Sequence, residues 1–312
     1  MLYSASLSLL LGLCSVSAGP LQEPAPFQVP DTGAVIGQVS LAAPRCGTLP
    51  NVTEVLAMEE NFRSLLPANQ TQGQDSAEST AGTSATKTIN VYFHVIINSA
   101  TGEGDMPDSQ IKSQLDVLNK AFKGSGFQWL LASTSRVTNT DWFNNAGPDS
   151  AQQTAMKTKL RQGGVKDLNL YTVGFNNPNS KGLLGYATFP SYYKEKPQDD
   201  GVVLSYKTLP GGKISQYNGG MTAVHEIGHW SGLYHTFQGG CDGQGDQVDD
   251  TPPEKTGASG CPSSRKTCPA SLSKSTDPIH NYMDYSDDAC MTEFTKGQIA
   301  RIKDQLRLYR GC

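Results

Sequence analysis

Charge is scarce in this chain and nowhere concentrated. Asp, Glu, Lys and Arg make up 17% of the 312 residues, the formal net charge is −4 at pH 7, and lysine and arginine form no run. That excludes the basic footprint a nucleic acid or an anionic membrane surface requires. No stretch reaches the roughly 20 consecutive apolar residues of a membrane-spanning helix. The G-x-S-x-G elbow of serine hydrolases is missing, and no internal repeat is visible. Histidine is rare too, at five residues. Three of the five fall within one stretch of eleven.

That stretch, His225 to His235, reads HEIGHWSGLYH. His225 and His229 are four apart and therefore share one face of a helix. Imidazoles stacked one turn apart can each direct a nitrogen at a single tetrahedral zinc ion. Glu226 lies between them, placed as an acid and base beside the metal and not as a ligand. Gly232 falls where a helix can end on a left-handed residue, and the turn brings His235 back as a third ligand. A bare H-E-x-x-H also occurs on helices with satisfied histidines; the added glycine and third histidine weigh for the metal. Three neutral imidazoles leave one position for water, whose pKa falls to roughly 7 there. Glu226 can take that water's proton during attack on a peptide carbonyl and return it to the departing amine. The full H-E-x-x-H-x-x-G-x-x-H string resembles that of the metzincin metalloproteases.

Composition divides the chain. Residues 1–18 have an apolar core at 7–13 followed by Val16, Ser17 and Ala18, the pattern of a secretory signal peptide. Residues 19–85 are rich in Pro, Ala, Ser, Thr and Gln, with one helix predicted over 52–66, and are expected to be a propeptide and linker. Asn51 and Asn69 open N-x-T sequons and are candidate glycosylation sites. Residues 86–312 are expected to form one catalytic domain.

Cysteine usage fits an exported protein. Cys14 leaves with the signal, and Cys46, Cys241, Cys261, Cys268, Cys290 and Cys312 remain. Four of these, Cys241, Cys261, Cys268 and Cys290, cluster in a loop-rich part of the last quarter of the chain, where disulfides would staple loops, and spacing allows three pairings. The PRCG sequence around Cys46 resembles the cysteine switch of matrix metalloproteases. Its thiolate could occupy the fourth metal position and keep a precursor silent. The competing expectation pairs Cys46 with Cys312.

Along the ordered part, residues 89–97 alternate as a strand, with His94 on its other face and expected to be structural. A helix over 108–123, a strand over 127–137, a helix over 150–161 and a strand over 168–175 follow. Extended segments are predicted at 183–189 and 202–206, and the histidine helix at 221–231. Residues 239–278 show no regular pattern, and a helix over 292–310 closes the chain. Strands alternating with helices imply a mostly parallel or mixed sheet covered by helices.

The segment Asn281 to Tyr285, NYMDY, resembles the metzincin Met-turn, with Met283 beneath the metal. Together with HEIGHWSGLYHTF and GDQVDDTP, it resembles the pappalysin-type metzincins over residues 88–310, in particular the secreted fungal extracellular metalloproteases. The resemblance implies an α+β fold: a twisted mixed sheet and active-site helix above, an irregular disulfide-stapled lower part ending in the C-terminal helix, and a substrate cleft between. It implies one Zn2+ per chain on His225, His229 and His235, with Glu226 catalytic. It places Tyr285 on the metal at rest or on the oxyanion during reaction, and pairs Cys241 with Cys268 and Cys261 with Cys290. Asp242, Asp246, Asp249, Asp250 and Thr251 offer hard oxygens in a Gly-rich loop, where relatives bind a structural Ca2+. Asp287 and Asp288 could line the pocket for the residue after the scissile bond, favouring a basic one. His280 matches no ligand and is expected to be structural. The implied protein is a secreted zinc endopeptidase, made as a latent precursor and acting on extracellular proteins for nutrient assimilation or damage to a host. It is expected to be monomeric and to bind neither nucleic acid nor membrane. A catalytically inactive zinc-bearing binding protein is the alternative; it would have no use for Glu226.

Overall fold

Strand β1, Lys87–Ile97, buries Ile89, Val91, Phe93 and Val95 on one face. His94 and Ile96 on the other face are equally buried. A strand covered on both sides belongs in the middle of a sheet between helix layers. The computed structural model describes residues 45–67 and 86–312. The expected signal peptide, the linker at 70–85 and Asn69 lie outside them.

β1 runs parallel to β2 (Phe127–Thr138) on one side and to β3 (Leu168–Val173) on the other. β3 pairs in parallel with β5 (Val202–Ser205), and the short β4 (Gly185–Ala187) closes the edge antiparallel to β5. The order is β2-β1-β3-β5-β4, a mixed sheet as expected. β4 is shorter than the predicted segment and lies against the histidine helix, where a Cβ on Gly185 would meet Glu226.

Helices cover both faces. On one, Ile111, Leu115 and Leu118 of α2 (Asp108–Ala121) and Val224 and Ile227 of α5 (Met221–Trp230) pack with the apolar row of β1. On the other, Phe143 of α3 (Thr140–Asn145) and Met156 of α4 (Ala151–Leu160) pack with Ile96, Tyr171 and Val203. Each such side chain contributes about 1.5–3 kcal/mol when fully buried. His94 is structural here: its Nδ1 lies 2.7 Å from Ser135 Oγ and its Nε2 2.9 Å from Asn169 Oδ1.

Two elements differ from expectation. α3 is too short to show periodicity; its one sequence signal is Asn139, whose side chain caps the amide of Trp142. The C-terminal helix α6, Lys296–Arg310, starts four residues later than predicted. Thr295 and Gln298 form a reciprocal cap there, and Glu293 is held extended against Asn281.

Residues 239–278 contain no helix or strand. They are held by the disulfides Cys241–Cys268 and Cys261–Cys290, spanning 27 and 29 residues. Loops of that length are each stabilised by about 3–4 kcal/mol in the chain-entropy account. Arg265, itself partly exposed, adds a crosslink to two buried carboxylates, 2.7 Å from Glu254 and 3.2 Å from Asp277. No helix among the described residues is long and apolar enough to cross a membrane.

Candidate active site and metal centre

Every residue of α5 from Thr222 to Trp230 is buried, so its polar side chains must find partners inside the protein. The helix stops because Gly232 adopts φ +95°, and a Cβ there would also lie 2.4 Å from Gln305 Cγ. The chain reverses and returns His235 to the side chains of His225 and His229.

The three Nε2 atoms form a triangle with sides of 3.1, 3.2 and 3.2 Å. A tetrahedral ion at roughly 2.0–2.1 Å sets its nitrogen ligands about 3.3–3.4 Å apart, so the donors fit such an ion closely. The tautomers of two of them fit it too. His225 Nδ1 lies 2.7 Å from the Tyr282 carbonyl and His229 Nδ1 2.8 Å from the Leu233 carbonyl. A carbonyl can only accept, so the proton is on Nδ1 and the Nε2 lone pair is free to bind metal. Burial lowers the pKa of all three, that of His225 to about 4, with mutual repulsion adding to the effect at His229 and His235. The neutral, ligating form is therefore favoured.

Glu226 borders the same space and is 1% exposed. Burial pushes its carboxyl up to about 8, against hydrogen bonds from Cys46 and Thr48 that pull it down. Three imidazoles, a thiol and a carboxyl thus share a small volume, which suits a divalent cation. Among the described residues, Cys46, His225, His229 and His235 form a group of potential ligand atoms all within 4.8 Å of one another.

The Met-turn supports two ligand-bearing segments. Tyr282 supplies the carbonyl for His225, and Met283 that for the amide of Thr236, beside His235. Met283 itself lies against α5 at Gly228, where a Cβ would sit 2.3 Å from its Sδ. Tyr285 has its ring 5.0 Å from that of His235 and 5.7 Å from that of His225. Burial, and then the neighbouring Cys46 and Glu226, raise its phenol above the ordinary range. His280 lies apart, with Nδ1 2.7 Å from the Cys290 carbonyl.

Residues 45–48 lie along the cleft. Cys46 Sγ is 3.5 Å from both His229 Nε2 and Glu226 Oε2. Cys312 is far along the sequence at the end of α6, and both thiols are unbonded. The backbone of 45–47 pairs in parallel with β4, through Leu184 N–H to Arg45 O at 2.7 Å and Gly47 N–H to Gly185 O at 2.9 Å. Arg45 donates to the Tyr285 carbonyl and stacks 4.7 Å above the Tyr217 ring, whose hydroxyl donates to Asp287. Asp288 lines the same recess, with one carboxylate oxygen accepting the Gly219 and Met221 amides.

The acidic loop is less convergent. Asp246 accepts from Thr251 Oγ1 at 2.7 and 2.8 Å, and Asp250 accepts from the Gly297 amide. Asp242, Asp246, Asp249 and Asp250 are not brought together as the histidines are. Asn51 is the N-cap of α1 (Val52–Leu65), accepting from the Glu54 amide, and is exposed.

Comparison with known proteins agrees with this geometry. The family model described as peptidase M43, pregnancy-associated plasma protein-A, matches residues 164–307. An extracellular metalloprotease of Pyricularia oryzae is 45% identical, over 82% of this chain and 92% of its own length. The chain belongs to this family of metalloproteases. An extracellular metalloprotease of Verticillium alfalfae is 43% identical over 89% of this chain and 95% of its own. Mature mirolysin of Tannerella forsythia, solved with a cleaved peptide, is 30% identical with a TM-score of 0.60, over 70% of this chain and 91% of its own. A promirolysin variant from the same organism is 26% identical with a TM-score of 0.68, over 85% and 95%. The metzincin fold and the pappalysin resemblance stand, and the protein is an extracellular, metal-dependent protease.

Sequence reading missed two contributors to this site. Thr48 lies 3.3 Å from Glu226 Oε2, and its amide is 3.3 Å from Cys46 Sγ. Arg45 was noticed only as part of the PRCG string. For Thr48 the one available signal was its place two residues past the cysteine.

Proposed function

We propose that the protein is a zinc endopeptidase held latent by its own residues 45–67 until they are removed. The observation that carries this is the convergence of three imidazole Nε2 atoms on one point, two of them on rings whose Nδ1 donates to a carbonyl, with Glu226 beside it and Cys46 facing it. The same proposal takes residues 1–18 as a signal, 19–85 as a prosegment and linker, and 86–312 as the protease.

His225, His229 and His235 would hold the zinc, which when bound supplies Lewis acidity and lowers the pKa of water. Glu226 receives the proton of the attacking water and delivers it to the leaving amine. Its burial suits both halves of that task, because a carboxyl raised toward neutrality accepts and returns a proton readily. Tyr285 directs its phenol toward the oxyanion. The β4 edge at Leu184 and Gly185, now bonded to residues 45–47, would bind the substrate backbone by strand addition. Cys46 blocks the centre from within this pairing. The larger match to the precursor form of mirolysin than to its mature form supports a prosegment here.

The test uses purified processed protein. Casein digestion should disappear on chelation and return with zinc, and elemental analysis should find one zinc per chain. Glu226→Ala should keep that zinc while kcat falls at least ~100-fold. Digestion that persists after the metal has been stripped would reject the mechanism.

A further inference from the structure

Helix α1 contacts the protease body at a socket built for it. Glu59 is 2% exposed and Phe62 fully buried, unusual values for a helix in a segment of such polar composition. Glu59 pairs with Arg301, itself 1% exposed, through both carboxylate oxygens, and accepts from Tyr234 Oη at 2.9 Å. Phe62 lies 5.2 Å beneath the Arg301 guanidinium and 6.3 Å from the Tyr309 ring. Val55 and Met58 pack with Phe189 and Tyr234. At the rim, Tyr309 Oη donates to Asn61 Oδ1 at 2.7 Å.

Arg301 also donates its Nε–H to the carbonyl of Gly232 at 2.9 Å, the turn that returns His235 to the metal centre. The arginine is thus fixed in place by the enzyme, with its charged end facing α1. A buried guanidinium that loses its paired carboxylate is strongly disfavoured. Bidentate pairing, a tyrosine hydroxyl and a stacked phenylalanine make the socket selective for an acidic residue three positions before an aromatic one on a helix.

We propose that Arg301, Tyr234, Tyr309 and Phe189 form a docking site that retains the prosegment helix through Glu59 and Phe62 after the chain is cut. This rests on residues 19–85 being a prosegment. Cutting the linker then yields a non-covalent complex, and while Cys46 is present activity appears only when α1 leaves the socket. Cys46 plugs the centre; Glu59 holds the plug in place.

The experiment uses the full chain with a specific protease site inserted between residues 70 and 85, cut after purification and passed over a sizing column. The wild-type fragment should co-elute with the enzyme and keep it latent. The Glu59→Gln fragment should separate, with at least tenfold weaker retention, and casein digestion should rise. The Cys46→Ser fragment should still co-elute although the enzyme is active. Phe62→Ala, which leaves Arg301 paired, should also release its fragment and serves if the glutamine variant does not fold. Equal retention of the Glu59→Gln and wild-type fragments overturns the docking site. Loss of the Cys46→Ser fragment as readily as the Glu59→Gln one also overturns it. Release without a rise in activity upholds the docking site and fails the latency reading alone.

Discussion

Met283 Sδ occupies the space that a side chain on Gly228 would need, 2.3 Å from where its Cβ would be. The glycine between Glu226 and His229 is therefore a packing requirement of the Met-turn as well as part of a helix. Gly228→Ala should lower stability by about 1–3 kcal/mol through overpacking and reduce metal occupancy, measured by thermal unfolding and elemental analysis. Gly228→Ala combined with Met283→Ala should recover part of that loss, because the clash is removed. Strictly additive losses in the two single variants would argue against direct packing.

Cys46 contacts His229 and Glu226 at 3.5 Å. A Cys46→Ser precursor should digest casein before any processing, at least tenfold faster than the uncut wild type. The intact mass of the reacting protein must be checked alongside. If the serine precursor stays as silent as wild type, the thiol does not maintain latency.

In the proposed mechanism the phenol of Tyr285 would act on charge that develops only during reaction. Tyr285→Phe should lower kcat about 10–100-fold, or about 1.4–2.7 kcal/mol, and leave KM within roughly twofold. A change confined to KM would instead place Tyr285 in substrate binding.

Asp246 is 4% exposed, and burial raises its carboxyl to about 7. A folded-state pKa above the unfolded value means that the folded chain holds the proton more tightly. The resulting stabilisation is complete below about pH 4 and is lost as pH rises through 7. Relative to Asp246→Asn, the wild type without added cations should therefore lose about 1–3 kcal/mol between pH 4 and 7. The difference between the two proteins removes the opposing effect of histidine protonation at the metal centre. Parallel stability profiles in chemical unfolding across that range would show that Asp246 does not titrate this way.

Much of the centre was legible because its spacing is local. His225, Glu226 and His229 lie on one turn of helix, and Gly232 can reverse the chain only by virtue of what glycine is. The alternation of β1 was equally plain, since a strand repeats every two residues. Its burial on both faces was not, because that depends on which strands flank it. α3 was missed because six residues hold too little of a helical period.

The sequence by itself determined which histidines and which carboxylate are available to the centre, most of the strand and helix order of the protease, and the cysteines available for stapling. These are properties of spacing and side-chain chemistry that act over a few residues. Tertiary structure alone decided that the Tyr282 and Leu233 carbonyls fix the imidazole tautomers, and that Cys46 comes to the histidines while Cys312 lies elsewhere. It also decided that Glu59 meets Arg301 across a separation of 242 residues. No local pattern encodes such a pair, because each partner is an ordinary surface residue until the fold removes both from water.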